Sequence, residues 1–83
     1  MTDRQIKVVL RQSKGVIFQG RVAAVSAVNQ MGAFDILASH ANFVTTIKDK
    51  VVLTHSRGFR REFKLQTGIL AVRDNQVEVF FGI

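Results

Sequence analysis

The chain has 83 residues, with twelve Lys and Arg against six Asp and Glu, a formal net charge of +6, and no cysteine. That length holds a single domain, the 47% hydrophobic content suits a folded chain rather than a disordered one, and the missing thiols exclude disulfides and thiolate metal sites. The positive surplus fits either a soluble basic surface or an anionic partner such as nucleic acid or lipid head groups.

The N-terminal MTDRQIKVVLRQSKG carries charges where a signal peptide needs an apolar stretch. No apolar run approaches the ~20 residues that span a bilayer, so a cytoplasmic protein is expected. Ile6, Val8 and Leu10 alternate with Lys7, Val9 and Arg11, the period of a half-buried strand. Ser13–Gly15 is a turn signal. In the stretch that follows, Gly20 predicts a bulge or a close backbone approach. GRVAAVSAVNQM, residues 20–31, has the alanines of a helix, but Val22, Val25 and Val28 are β-branched and no N-cap precedes them, so a strand is predicted. Asn29–Gly32 is the next turn.

GAFDILASHANFVTTI, residues 32–47, is two apolar runs joined by a Ser-His-Ala-Asn elbow. Val51, Leu53 and His55 alternate with Val52, Thr54 and Ser56, and Ser56–Gly58 marks a turn. In the basic hairpin SRGFRREFK, residues 56–64, Phe59, Arg61, Phe63 and Leu65 share one face and Arg60, Glu62 and Lys64 the other. That pattern fits a strand entering a core better than a platform for stacking bases. Gly68 again predicts a bulge or a close approach. Asp74-Asn75 suits a two-residue hairpin turn, because both residue types tolerate positive φ. Val77, Val79 and Phe81 close the chain as a last strand. Short strands with turns every ~8–12 residues predict an all-β sandwich or barrel.

Catalytic patterns are missing. Ser39 and His40 are neighbours, and neighbours on an extended segment point to opposite faces. There is no G-x-S-x-G elbow. His40 and His55 are the two histidines, without a ligand cluster around either. The scattered acids suggest no glycosidase pair, and no phosphate-binding or dinucleotide fingerprint occurs. No catalytic residue, metal ligand or cofactor is expected.

Three segments in register carry a resemblance. VIFQGRVAAVSA (residues 16–27), GAFDILASHANFVTTI (32–47) and FKLQTGILAVRDNQVEVF (63–80) are similar to the N-terminal β-sandwich domain of the F-type ATP synthase epsilon subunit, named delta in mitochondria. The likeness runs from about Ile6 to Phe81, so residues 1–83 read as one such domain. It implies a β-sandwich of two antiparallel sheets with about ten short strands. It also implies a non-catalytic central-stalk subunit that docks on gamma and on the c-ring, and meets the catalytic alpha/beta assembly only indirectly. Such a subunit couples ion-driven rotation to ATP synthesis. It sits peripherally on the cytoplasmic face of a bacterial inner membrane (matrix or stroma side in an organelle), reaching the membrane only through the c-ring. Nucleic acid is not a partner on this reading; a small basic β-barrel binding single-stranded nucleic acid is the alternative.

By the same likeness, Asn29, Gln30, Met31, Gly32 and Ala33 form the c-ring-facing loop, and His40 and Thr45 belong to the gamma and c-ring interface. Three departures stand out. The family's acid after the glycine is Ala33 here, with Asp35 on the same side of the strand as a substitute. The family's prolines flanking the histidine are Ala38 and Asn42, which predicts a looser elbow. The chain stops on its last strand, without the family's C-terminal helical hairpin, as expected of a naturally short epsilon or an excised domain.

Overall fold

A computed structural model describes residues 4–82. The chain forms β1 (Ile6–Gln12), β2 (Gly15–Val22), β3 (Ala24–Asn29), β4 (Gly32–Leu37), β5 (Phe43–Thr54), β6 (Arg60–Arg73) and β7 (Gln76–Phe81). They are hydrogen-bonded in the order β2-β1-β7-β6-β5-β3-β4. Every pair is antiparallel except β1 with β7, which run parallel. The disputed stretch 20–31 is the end of β2 followed by β3, as its valines predict.

The all-β sandwich class holds, with seven strands rather than about ten and one continuous ladder. The reason lies in β5 and β6, which are 12 and 14 residues long. Each is bent near its middle and serves both layers, so one long strand stands where two short ones were expected. Their pairing slips by one residue between Lys48 and Asp49, because Lys48 faces Thr67 while Asp49 faces Leu65. Gln66 is the extra residue, and such a bulge bends and twists a ladder.

The first layer is β2-β1-β7 with residues 68–73 and 43–48. The second is residues 60–65 and 50–54 with β3 and β4. One core fills the space between them, drawing on Ile6, Val8 and Leu10 of β1, Val25 and Ala27 of β3, Ile36 of β4, Leu53 of β5, Leu70 of β6 and Val79 of β7. Rings close it at one corner, where Phe18 of β2 lies 6.1 Å from Phe63 of β6 although those strands do not pair.

The two interior glycines behave differently. A Cβ on Gly68 would lie 2.8 Å from the Phe81 Cβ and 2.9 Å from the Phe80 carbonyl oxygen, so the predicted close approach is there. At Gly20 the neighbour is the Phe18 ring, 3.2 Å from a Cβ. The bulge in that ladder falls instead at Ile17, since Leu10 faces Phe18 and Arg11 faces Val16. Among the described residues no helix is long and apolar enough to cross a membrane.

Candidate docking surfaces

Asn29 and Gly32 close the β3–β4 hairpin as its last pair, leaving Gln30 and Met31 at the tip. Both keep negative φ, so the chain returns through Gly32 at φ 114°, a conformation open to glycine alone without strain. The Asn29 Oδ1 accepts from the Met31 N–H at 2.8 Å, which fixes the turn. Met31 is 94% exposed, the most exposed large apolar side chain among the described residues, and it sits on the hairpin tip. The Asn29 Nδ2 donates to the Thr45 Oγ1 at 3.3 Å. Two of the residues singled out in the sequence are thereby joined across the fold.

His40 stands elsewhere. Strand β4 separates it from the hairpin tip, and six residues at ~3.3 Å each put the two roughly 20 Å apart. Its Nδ1–H donates to the Ala41 carbonyl at 2.7 Å, and its ring lies 5.0 Å from that of Phe43, which itself packs 5.9 Å from Phe34. Within the chain His40 is therefore an elbow residue that caps the Phe43–Phe34 stack. Ser39 beside it carries φ 68°.

The elbow is tied down, contrary to the looseness its missing prolines predicted. The Ser39 N–H donates to the Asn75 Oδ1, and the Asp74 N–H to the Asn42 Oδ1, both at 2.9 Å. The Asn75 Nδ2 donates in turn to the Gln5 carbonyl at 2.8 Å. Asp74 and Asn75, at φ 50° and 65°, form the two-residue turn the sequence predicts. Asp35 shares the outer face with Ala33, as alternation requires, and accepts from the Ser26 hydroxyl at 2.7 Å.

The register also assembles an apolar face that no single segment reveals. On the outside of the first layer, Thr46, Ile69, Phe80, Arg11 and Val16 form one row across five strands. The next row is Val44, Ala71, Glu78, Val9 and Gln19. Val44 is 70% exposed, and Ile69, Phe80, Val16 and Ile17 are exposed beside it. Arg11 and Glu78 pair with each other on this face, which leaves its centre close to neutral. The basic hairpin behaves differently: Phe63 turns inward against Phe18, and the Arg61 guanidinium lies 4.9 Å from the Phe63 ring centre. Arg61 and Phe63 are thus used within the fold, whereas Phe59 of the same hairpin stays 69% exposed. Among the described residues no group of three or more His, Cys, Asp or Glu side chains is arranged to hold a metal ion.

These features define a β-sandwich module whose prominent surfaces are a hairpin tip and an apolar sheet face. The chain belongs to the family described as ATP synthase, delta/epsilon chain, β-sandwich domain, whose model matches residues 5–81. It is 35% identical over 65 residues to the ATP synthase epsilon chain of Clostridium botulinum strain Eklund 17B, and 34% identical to that of strain Alaska E43. Each alignment covers 77% of this chain and 48% of the relative, so the chain spans about half the length of the curated relatives it matches.

Among solved structures, a chain in the Euglena gracilis mitochondrial ATP synthase (OSCP/F1/c-ring) superposes with a TM-score of 0.87 at 22% identity, covering 94% of this chain and 51% of that one. A chain of the Tetrahymena thermophila mitochondrial ATP synthase central stalk and c-ring gives 0.76 at 12% identity, covering 100% and 67%. At those identities the likeness is one of fold.

Proposed function

We propose that the chain acts as an epsilon-type central-stalk module, docking on the gamma subunit and the c-ring of an F-type ATP synthase without catalysing a reaction itself. The observation that carries this is the family match across residues 5–81. On this reading the apolar rows around Val44, Ile69 and Phe80 pack on gamma, with His40 at the elbow before β5, while Thr45 points to the other face of β5 and braces Asn29 at the base of the tip. The Gln30–Met31 tip and Gly32 meet the polar loops of the c-ring, with Asn29 and Ala33 at its base. Asp35 supplies the carboxylate that Ala33 lacks. The chain serves as a rigid wedge that carries torque to catalytic sites on other subunits, peripheral to the membrane on the side where those subunits lie. A single close-packed core shared by both layers suits that task, because dense interiors transmit strain.

The test is calorimetry of the chain with the gamma subunit of the same organism, at low and at high salt, with a single-stranded oligonucleotide for comparison. Saturable one-to-one binding to gamma that survives high salt is expected. Ile69→Asp, a charge placed within the apolar rows, should weaken it by about tenfold or more. Absent gamma binding, together with oligonucleotide binding that collapses as salt rises, would overturn the reading in favour of a nucleic-acid module.

A further inference from the structure

At the end of the molecule away from the β3–β4 tip, an open groove of about 430 Å³ lies between β2 and the β5–β6 turn. Its lining is Gln5, Arg21, His55, Ser56, Arg57 and Phe59. Arg21 comes from one layer of the sandwich and Arg57 from the turn that caps the other. Among the described residues the ion pair is Arg11 with Glu78, so both groove guanidiniums keep their donors free. Among the described residues no carboxylate lines the groove. Arg21 also stands directly opposite Lys7 in the β1–β2 ladder, and like charges so placed repel. A bound anion relieves that repulsion.

The walls hold together without help from a ligand. The His55 N–H donates to the Phe59 carbonyl and the Gly58 N–H to the His55 carbonyl, both at 2.8 Å. The His55 ring packs edge-on to Phe18 at 6.4 Å. The turn is therefore preformed, and Phe59 stays 69% exposed at the rim with no aromatic partner among the described residues. Two free guanidinium forks match the oxygens of a phosphate group, the Ser56 hydroxyl and Gln5 amide add neutral donors, and the volume falls in the range of ~300–1,000 Å³ typical of small-ligand sites.

We infer that this groove binds a small organic phosphate, with its phosphate group between Arg21 and Arg57 and its apolar part against Phe59. The inference is independent of docking on gamma or the c-ring. The experiment is an amide-resolved NMR titration of the chain with phenyl phosphate and, separately, with inorganic phosphate at constant ionic strength. Phenyl phosphate should saturate, shift the amides of residues 55–59, and bind more tightly than inorganic phosphate. Arg21→Gln and Arg57→Gln should each weaken it by about tenfold or more, as loss of a charge-assisted contact requires. Arg73→Gln, outside the groove, should change affinity by less than about twofold. All three arginines are exposed, and the amide spectrum of each variant verifies its fold. Non-saturating shifts, equal affinity for the two probes, or undiminished binding in both groove variants would overturn the assignment.

Discussion

Asn75 holds three segments together from a backbone position that most residues resist. At φ 65° it accepts from the Ser39 N–H, donates to the Gln5 carbonyl, and receives the Lys7 N–H on its own carbonyl at 3.3 Å. The side-chain bonds and the backbone strain separate by substitution. Asn75→Gly keeps the left-handed turn and loses both side-chain bonds, so it should cost about 1 kcal/mol. Asn75→Ala loses the same bonds and keeps the Cβ at positive φ whose strain glycine relieves, so it should be roughly 1 kcal/mol less stable than Asn75→Gly. Urea unfolding of the two variants measures the difference, and equal midpoints would mean that the turn carries no strain. The turn itself is legible in the Asp-Asn pair. Its bonds are not, because they join residues 36 and 70 positions apart. For the same reason the missing prolines misled: the rigidity they would have supplied locally comes here from a distant turn.

The bend in β5 and β6 turns one sheet into a sandwich, and its sequence trace is a slip in phase. On β6 the inward residues are Phe63 and Leu65, then Leu70 and Val72, odd numbers giving way to even across Gln66. Opposite the slip Asp49 carries φ 72°, tolerable for an aspartate and hostile to a β-branched side chain. Asp49→Val should therefore cost about 1–2 kcal/mol, whereas Lys48→Val, one residue earlier on an exposed strand position, should stay within about 0.5 kcal/mol. Thermal or urea unfolding decides it; equal costs would show that the bend does not depend on Asp49. Alternation marked β1, β7 and the second half of β5 as strand, and the β-branched valines of residues 20–31 decided against a helix there. Alternation could not show that two strands run on through a bulge, because a phase slip and a turn both interrupt a period of two. The expected count of about ten came from the family likeness, which does not show that β5 and β6 each run on as one strand.

Across the molecule, the apolar outer face and the unpaired cations are both products of register. Ile69 and Phe80 are eleven residues apart in sequence and direct partners in the β6–β7 ladder, and Val16 reaches the same row only through β1. The sequence offered these residues as strand material without indicating that they face solvent together, whereas the hairpin tip was legible from its turn residues and the family likeness. The charges follow the same logic. The net +6 is not spread to minimise repulsion: Lys7 faces Arg21 on the outside of the first layer, and Lys50 faces Lys64 on the outside of the second. Each like-charged pair destabilises by roughly 0.2–1 kcal/mol at low salt, and both are exposed, so salt should screen them almost fully once the Debye length falls well below ~10 Å. The urea midpoint should therefore rise as sodium chloride increases from about 10 mM to about 0.5 M. The double variant Lys7→Gln, Lys50→Gln should start from a higher midpoint and respond less steeply, and the two proteins should converge at high salt. A midpoint that falls with salt would mean that attraction outweighs repulsion on this surface, in which case neither like-charged pair limits the stability of the free chain.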